Sequence, residues 1–138
     1  MLYISFIYTS GWQAAAAAVG GVVNFTVSIG ADADFRCNYI TCSVRQAGLL
    51  VANWGGDIII NDSGKGRTLM NQALALDAIA GTGQLPYHFK PARIFPANSS
   101  VVITIINNVV TATDVQVAFH GNKLYPSESP EFEGDVQL

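Results

Sequence analysis

Charge is the scarcest ingredient of this chain. Only 12% of its 138 residues are Asp, Glu, Lys or Arg, against about 25% in an average soluble protein. Residues 1–121 carry six basic and six acidic side chains and are neutral. The net charge of -3 comes from the C-terminal stretch, where Lys123 stands against Glu128, Glu131, Glu133 and Asp135. No cluster of Lys and Arg exists, so the chain is not expected to bind nucleic acid, whose phosphates are held by grouped cations. A surface this poor in charge associates readily, which favours a subunit of an assembly.

Long apolar runs are also lacking. The longest near the start, Ala14–Val23, contains Gly20 and Gly21 and falls well short of the ~20 apolar residues that cross a bilayer. No membrane partner is expected. The first 35 residues contain neither Lys nor Arg, so the positive start of an export signal is missing, and folding in a cytoplasm is expected. Cysteine and histidine occur twice each, too few to predict a metal site. Cys37 and Cys42 lie five apart in a strand-like segment. Strict alternation places them on opposite faces, about 16 Å apart, beyond disulfide reach. Both are expected to be reduced thiols.

Catalytic patterns are absent as well. Gly64-Lys65-Gly66-Arg67-Thr68 fails the spacing of a phosphate-binding loop and reads as a hairpin turn. Asp32 and Asp34 follow the strand-ending Gly30 with no further acids close by, which reads as a solvated turn. His88 and His120 have no nucleophile motif near them. The chain is read as not an enzyme, with no catalytic residues, no cofactor and no metal.

What the sequence does contain is two-residue periodicity. In Val23–Ile29, Val23, Phe25, Val27 and Ile29 alternate with Asn24, Thr26 and Ser28, the mark of a half-buried strand. Phe35–Val44 is a second strand, with Phe35, Cys37, Tyr39 and Thr41 assigned to one face. Leu49–Asn53, Asp57–Asn61, Val101–Ile106 and Asp114–Gly121 follow, the last with Val115, Val117 and Phe119 inward and Asp114, Gln116 and His120 outward. Leu69–Ala80 fits a short helix or a loop equally. Seven or eight short strands with turns between them indicate an all-β, antiparallel, jelly-roll-like β-sandwich.

The ends differ in kind. Residues 1–20 read as an apolar N-terminal arm, with Tyr3–Tyr8 apolar on both faces, Trp12, and five alanines from Ala14 to Ala18. Residues 21–125 form the sandwich, and 126–138 an acidic tail expected at the surface. The arm is either the first strand of its own sandwich or a clasp on a neighbour. In the second case Tyr3, Phe6, Tyr8 and Trp12 are the assembly interface. The same aromatics with Trp54 also allow a sugar-stacking platform.

A resemblance enters over Ala31–Tyr125. Gly30-Ala31-Asp32-Ala33-Asp34-Phe35, Pro91-Ala92-Arg93-Ile94-Phe95-Pro96-Ala97-Asn98-Ser99-Ser100, Asn107-Asn108, and Val117-Ala118-Phe119-His120-Gly121-Asn122-Lys123-Leu124-Tyr125 are similar, in this order, to motifs of small structural proteins of tailed phages. The series resembles the capsid decoration, or cement, proteins of jelly-roll type. The resemblance implies a homotrimer on the outer capsid surface of the virion, bound to the major capsid protein and stabilising the shell. The alternative reading is a receptor- or carbohydrate-binding module of a phage tail or fibre. Within the motifs, Pro91 and Pro96 suit a sheet edge, Gly121 a bulge or close backbone approach, and Lys123 a stem laid over apolar surface.

Overall fold

The computed structural model describes residues 2–51, 55–63, 67–69, 72, 74–75, 87–109 and 111–126. Two antiparallel sheets face each other. The first has six strands: β1 (Leu2–Thr9) and β2 (Gln13–Ala14) along one side of β11 (Asp114–Tyr125), then β4 (Asp34–Gln46), then β5 (Leu49–Val51) and β9 (Tyr87–Phe95) along the far side of β4. The second has five: β3 (Val22–Ser28), β10 (Ser100–Asn107), β6 (Gly56–Asp62), and the two-residue strands β7 (Arg67–Thr68) and β8 (Leu74–Ala75), both on β6. The main strands run β1-β11-β4-β9 in one sheet and β3-β10-β6-β7/β8 in the other, and the chain passes repeatedly between sheets. This is a jelly-roll sandwich.

The core lies between the sheets and follows from alternation. Phe25, Val27, Ile58, Ile60, Val101, Ile103 and Ile105 project from one sheet. Phe35, Ile40, Val44, Phe95, Val115, Val117 and Phe119 project from the other, and all are buried. Phe95 meets Phe119 edge-on with ring centroids 5.9 Å apart, a favoured aromatic geometry. The inward assignments for β3 and β11 hold, with Val23 only partly buried against the core.

The expected faces of the Phe35–Val44 strand do not hold. Cys37 pairs with Gly121 and Tyr39 with His120, so Asn38 has no partner and the register shifts there. One extra residue turns the following side chains over. Phe35 and Cys37 point inward, whereas Tyr39 and Thr41 point outward, and Cys42 returns to the interior. Both cysteines are therefore buried thiols on the same side, not on opposite faces. Burial pushes the Cys37 thiol up to about 12, leaving about one molecule in ten thousand as the reactive thiolate at pH 8. Alkylation with iodoacetamide at pH 8 should leave Cys37 unmodified in the native protein and modify both cysteines in 6 M guanidinium. Rapid native labelling of Cys37, read by mass spectrometry, contradicts this burial.

The apolar arm is part of the sheet. Every residue of β1 pairs with β11, from Leu2 opposite Tyr125 to Thr9 opposite Ala118. The alanine segment is held as well. Ala15 N–H donates to the Thr113 carbonyl at 2.9 Å, and the buried Asn107 amide donates to the Ala16 carbonyl at 2.6 Å. The division at residue 20 is thus corrected: the sandwich begins with β1, because pairing with β11 satisfies the backbone groups that a free arm leaves to solvent. The acidic tail, Trp54, the Gly64–Gly66 turn and most of the proposed Leu69–Ala80 helix lie outside the described residues.

Candidate assembly surface and outer-face cleft

β1 is an edge strand among the described residues, and its two faces have different fates. Tyr8 points inward and is fixed there. Its ring stands edge-on to Phe35 at 4.8 Å, and its hydroxyl accepts the Gly30 N–H at 2.9 Å. Trp12 is half-buried beneath the Arg45 guanidinium, 4.3 Å from its ring centre, while Arg45 pairs with Asp114 at 3.0 Å. Of the four aromatics assigned to an interface, these two are engaged within the subunit, and Phe6 meets the Tyr8 ring edge-on at 4.7 Å while keeping an exposed side. Tyr3 is 55% exposed and Phe6 39%, with Ile4 and Ile7 exposed between and beside them. Leu49 and Leu50 are exposed at the opposite edge of the same sheet. The Ala47-Gly48 turn presents them: φ of 51° and 78° at its two residues gives the tight twist that joins β4 to β5.

Lys123 lies over Phe6, with Nζ 4.1 Å from the ring centre, and bonds Asp32 Oδ2 at 3.1 Å. Tyr125 donates to the same oxygen at 2.6 Å. The Tyr125 hydrogen bond first, then that of Lys123, holds the Asp32 carboxyl below its ordinary range. Burial opposes the charge of Lys123, but Asp32 and the neighbouring tyrosines outweigh it and raise its pKa. Asp34 turns elsewhere and accepts the Ala97 N–H at 2.8 Å. The two carboxylates thus serve separate structural bonds, and no cluster of three or more metal-ligating residues exists among the described residues.

The other feature is on the outer face. Gly121 sits in the middle of the sheet without a side chain, and the bulge at Asn38 lies directly across from it. The result is a shallow cleft of about 530 Å3. One end is walled by Ile7, His120 and Tyr39, the other by Ser5, Asn122 and Asn38. His120 stacks on Tyr39, centroids 4.5 Å apart and planes 11° from parallel. Tyr39 also meets His88 at 5.2 Å. Nε2 of His120 bonds the Thr41 hydroxyl at 2.8 Å, and burial lowers its pKa. Asn38 donates to Asn122 Oδ1 at 3.2 Å. Sequence reading placed His120 outward but missed its neighbours, which come from β1, β4 and β11. Gly121 within a strand was the one signal that marked the spot.

No family model matches the chain, and no curated protein matches it. Among solved structures it is similar to the crystal structure of the infectious bursal disease virus VP2 subviral particle, with 15% identity and a TM-score of 0.42 over 93% of this chain and 34% of that one. The chain thus spans about a third of the length of that protein.

Proposed function

We propose that this protein is a structural virion subunit that decorates and cements a phage capsid, assembling as a trimer bound to the major capsid protein on the outer surface. The observation that carries the reading is the exposed apolar edge strand β1. Single exposed apolar side chains are ordinary, but β1 exposes Tyr3 and Ile7 on one face and Ile4 and Phe6 on the other, and the strand itself carries no charged residue, where soluble monomers place Lys or Pro. The motif series over Ala31–Tyr125 supports the same reading. A three-fold ring also needs two different patches per subunit, each meeting the other on the next copy. β1 at one edge and Leu49-Leu50 at the opposite edge supply such a pair.

Light scattering of the purified protein should therefore give three times the 14.7 kDa chain mass. Tyr3→Glu and Leu50→Glu each place a charge where the interface is dry, and each should weaken trimer formation about 100-fold or more while leaving the far-UV spectrum unchanged. Decoration of capsids stripped of this protein, imaged by electron microscopy, should fall with it. A wild-type chain that stays monomeric at 100 μM and ignores those capsids overturns the proposal.

A further inference from the structure

The outer-face cleft has the chemistry of a binding site, and the geometry points to a neutral saccharide ring as its occupant. Three observations carry this. First, among the described residues no Lys, Arg, Asp or Glu lines the cleft, so they offer nothing to a phosphate or a carboxylate, which are taken by cations. The burial that disfavours protonated His120 works in the same direction. Second, its polar groups are unspent and adjacent. Asn122 uses its Oδ1 to accept from Asn38, which leaves the Asn122 NH2 and the Asn38 carbonyl side by side as a donor and an acceptor. His120 uses only Nε2, towards Thr41; Nδ1 has no protein partner among the described residues. Neighbouring hydroxyls of a sugar, each both donor and acceptor, match that arrangement. Third, Ile7 and the stacked His120 and Tyr39 rings give the same cleft an apolar wall, suited to the C–H face of a pyranose.

A peptide fits less well. Peptides held on sheets usually take main-chain hydrogen bonds from an open strand edge. The strand under this cleft, β11, is paired with β1 on one side and β4 on the other. Recognition here falls to side chains alone. The volume of about 530 Å3 admits one or two sugar rings, and Phe6 and Ile7 of β1 belong to its lining, so the site shares its outer wall with the edge proposed for assembly.

The test is a titration of the intact 15N-labelled protein, followed by two-dimensional NMR, with glucose, galactose, mannose and N-acetylglucosamine. N-acetylneuraminic acid is the charged comparison and open-chain sorbitol the control for unspecific polyol effects. At least one neutral sugar should shift the amides of Asn38, Gly121 and Asn122 saturably, with a dissociation constant of about 1–10 mM, the range of a dozen-atom ligand at ordinary efficiency. Asn122→Ala should weaken that binding about tenfold. His120→Phe, which keeps a ring on Tyr39 but removes the nitrogens, should weaken it likewise, so one folded variant suffices. Absence of saturable shifts up to 50 mM overturns the proposal. So does an equal response to sorbitol, stronger binding of the charged sugar, shifts confined to other regions, or folded variants that bind as the wild type does.

Discussion

A chain lacking residues 1–12 should have no cooperative fold. β1 pairs along its whole length with β11, at about one hydrogen bond per residue and roughly 1 kcal/mol net for each. Its loss also removes Tyr8 from the face of Phe35, which is fully buried. Tyr8 is partly buried against the core, and losing its packing costs about 1–3 kcal/mol. These terms reach the whole stability of a domain of this size, about 5–15 kcal/mol. Urea titration followed by circular dichroism should show no sigmoidal transition for the truncated chain, where the full chain shows one. Tyr3→Glu, on the exposed face, should unfold near the wild-type midpoint when both are compared at concentrations low enough to be monomeric, where trimer formation adds nothing to stability. A truncated chain with a cooperative transition near that midpoint contradicts the placement of β1 as an integral strand and restores the free clasp.

Gly121→Ala should be nearly as severe with one added methyl group. A Cβ at this position collides with the Arg36 carbonyl oxygen and lies 2.8 Å from the Arg36 carbonyl carbon and 3.0 Å from the Cys37 Cα. All three are backbone atoms, so no rotamer change relieves the clash. The only relief is to part β11 from β4 at the centre of the sheet, with an expected loss of about 4 kcal/mol or more. Gly11→Ala is the comparison: nothing lies within 4 Å of its Cβ, and only the positive φ of 66° opposes it, at about 1–2 kcal/mol. Urea midpoints of the two variants should separate widely. Equal midpoints show that the β11–β4 approach at Gly121 is looser than described.

These two positions also mark how far the sequence could be read. β3, β10 and β11 were legible because one face of each is apolar and the other polar, so a period of two reports the fold directly. β1 was not, since Tyr3 and Ile7 are as apolar as Ile4 and Phe6; composition alone cannot separate a core strand from a clasp when both faces are greasy. The β4 faces were misassigned through a single residue, Asn38, whose bulge is a property of pairing with β11 and leaves no mark in β4 itself. Strand β9 carries His88, Lys90 and Pro91 and shows no alternation; its place follows from β4. The cleft was illegible for a related reason. Asn38 and Asn122 touch only because the register brings them together, and nothing local in either segment announces a partner so distant along the chain.

The pairing of Leu2 with Tyr125 also sets an order of events during synthesis. Of the described strands β1 leaves the ribosome first, and its partner is the last of them to emerge. Until then its apolar residues face solvent with their backbone groups unmatched, the condition under which nascent strands aggregate. β6, β10 and β3 lie in the other sheet and need nothing beyond Asn107 to pair among themselves, so that sheet is the earlier of the two to close. The sheet that carries the outer cleft and the exposed apolar edge closes last, after the whole of β11 is available, and both surfaces come into existence together at that step.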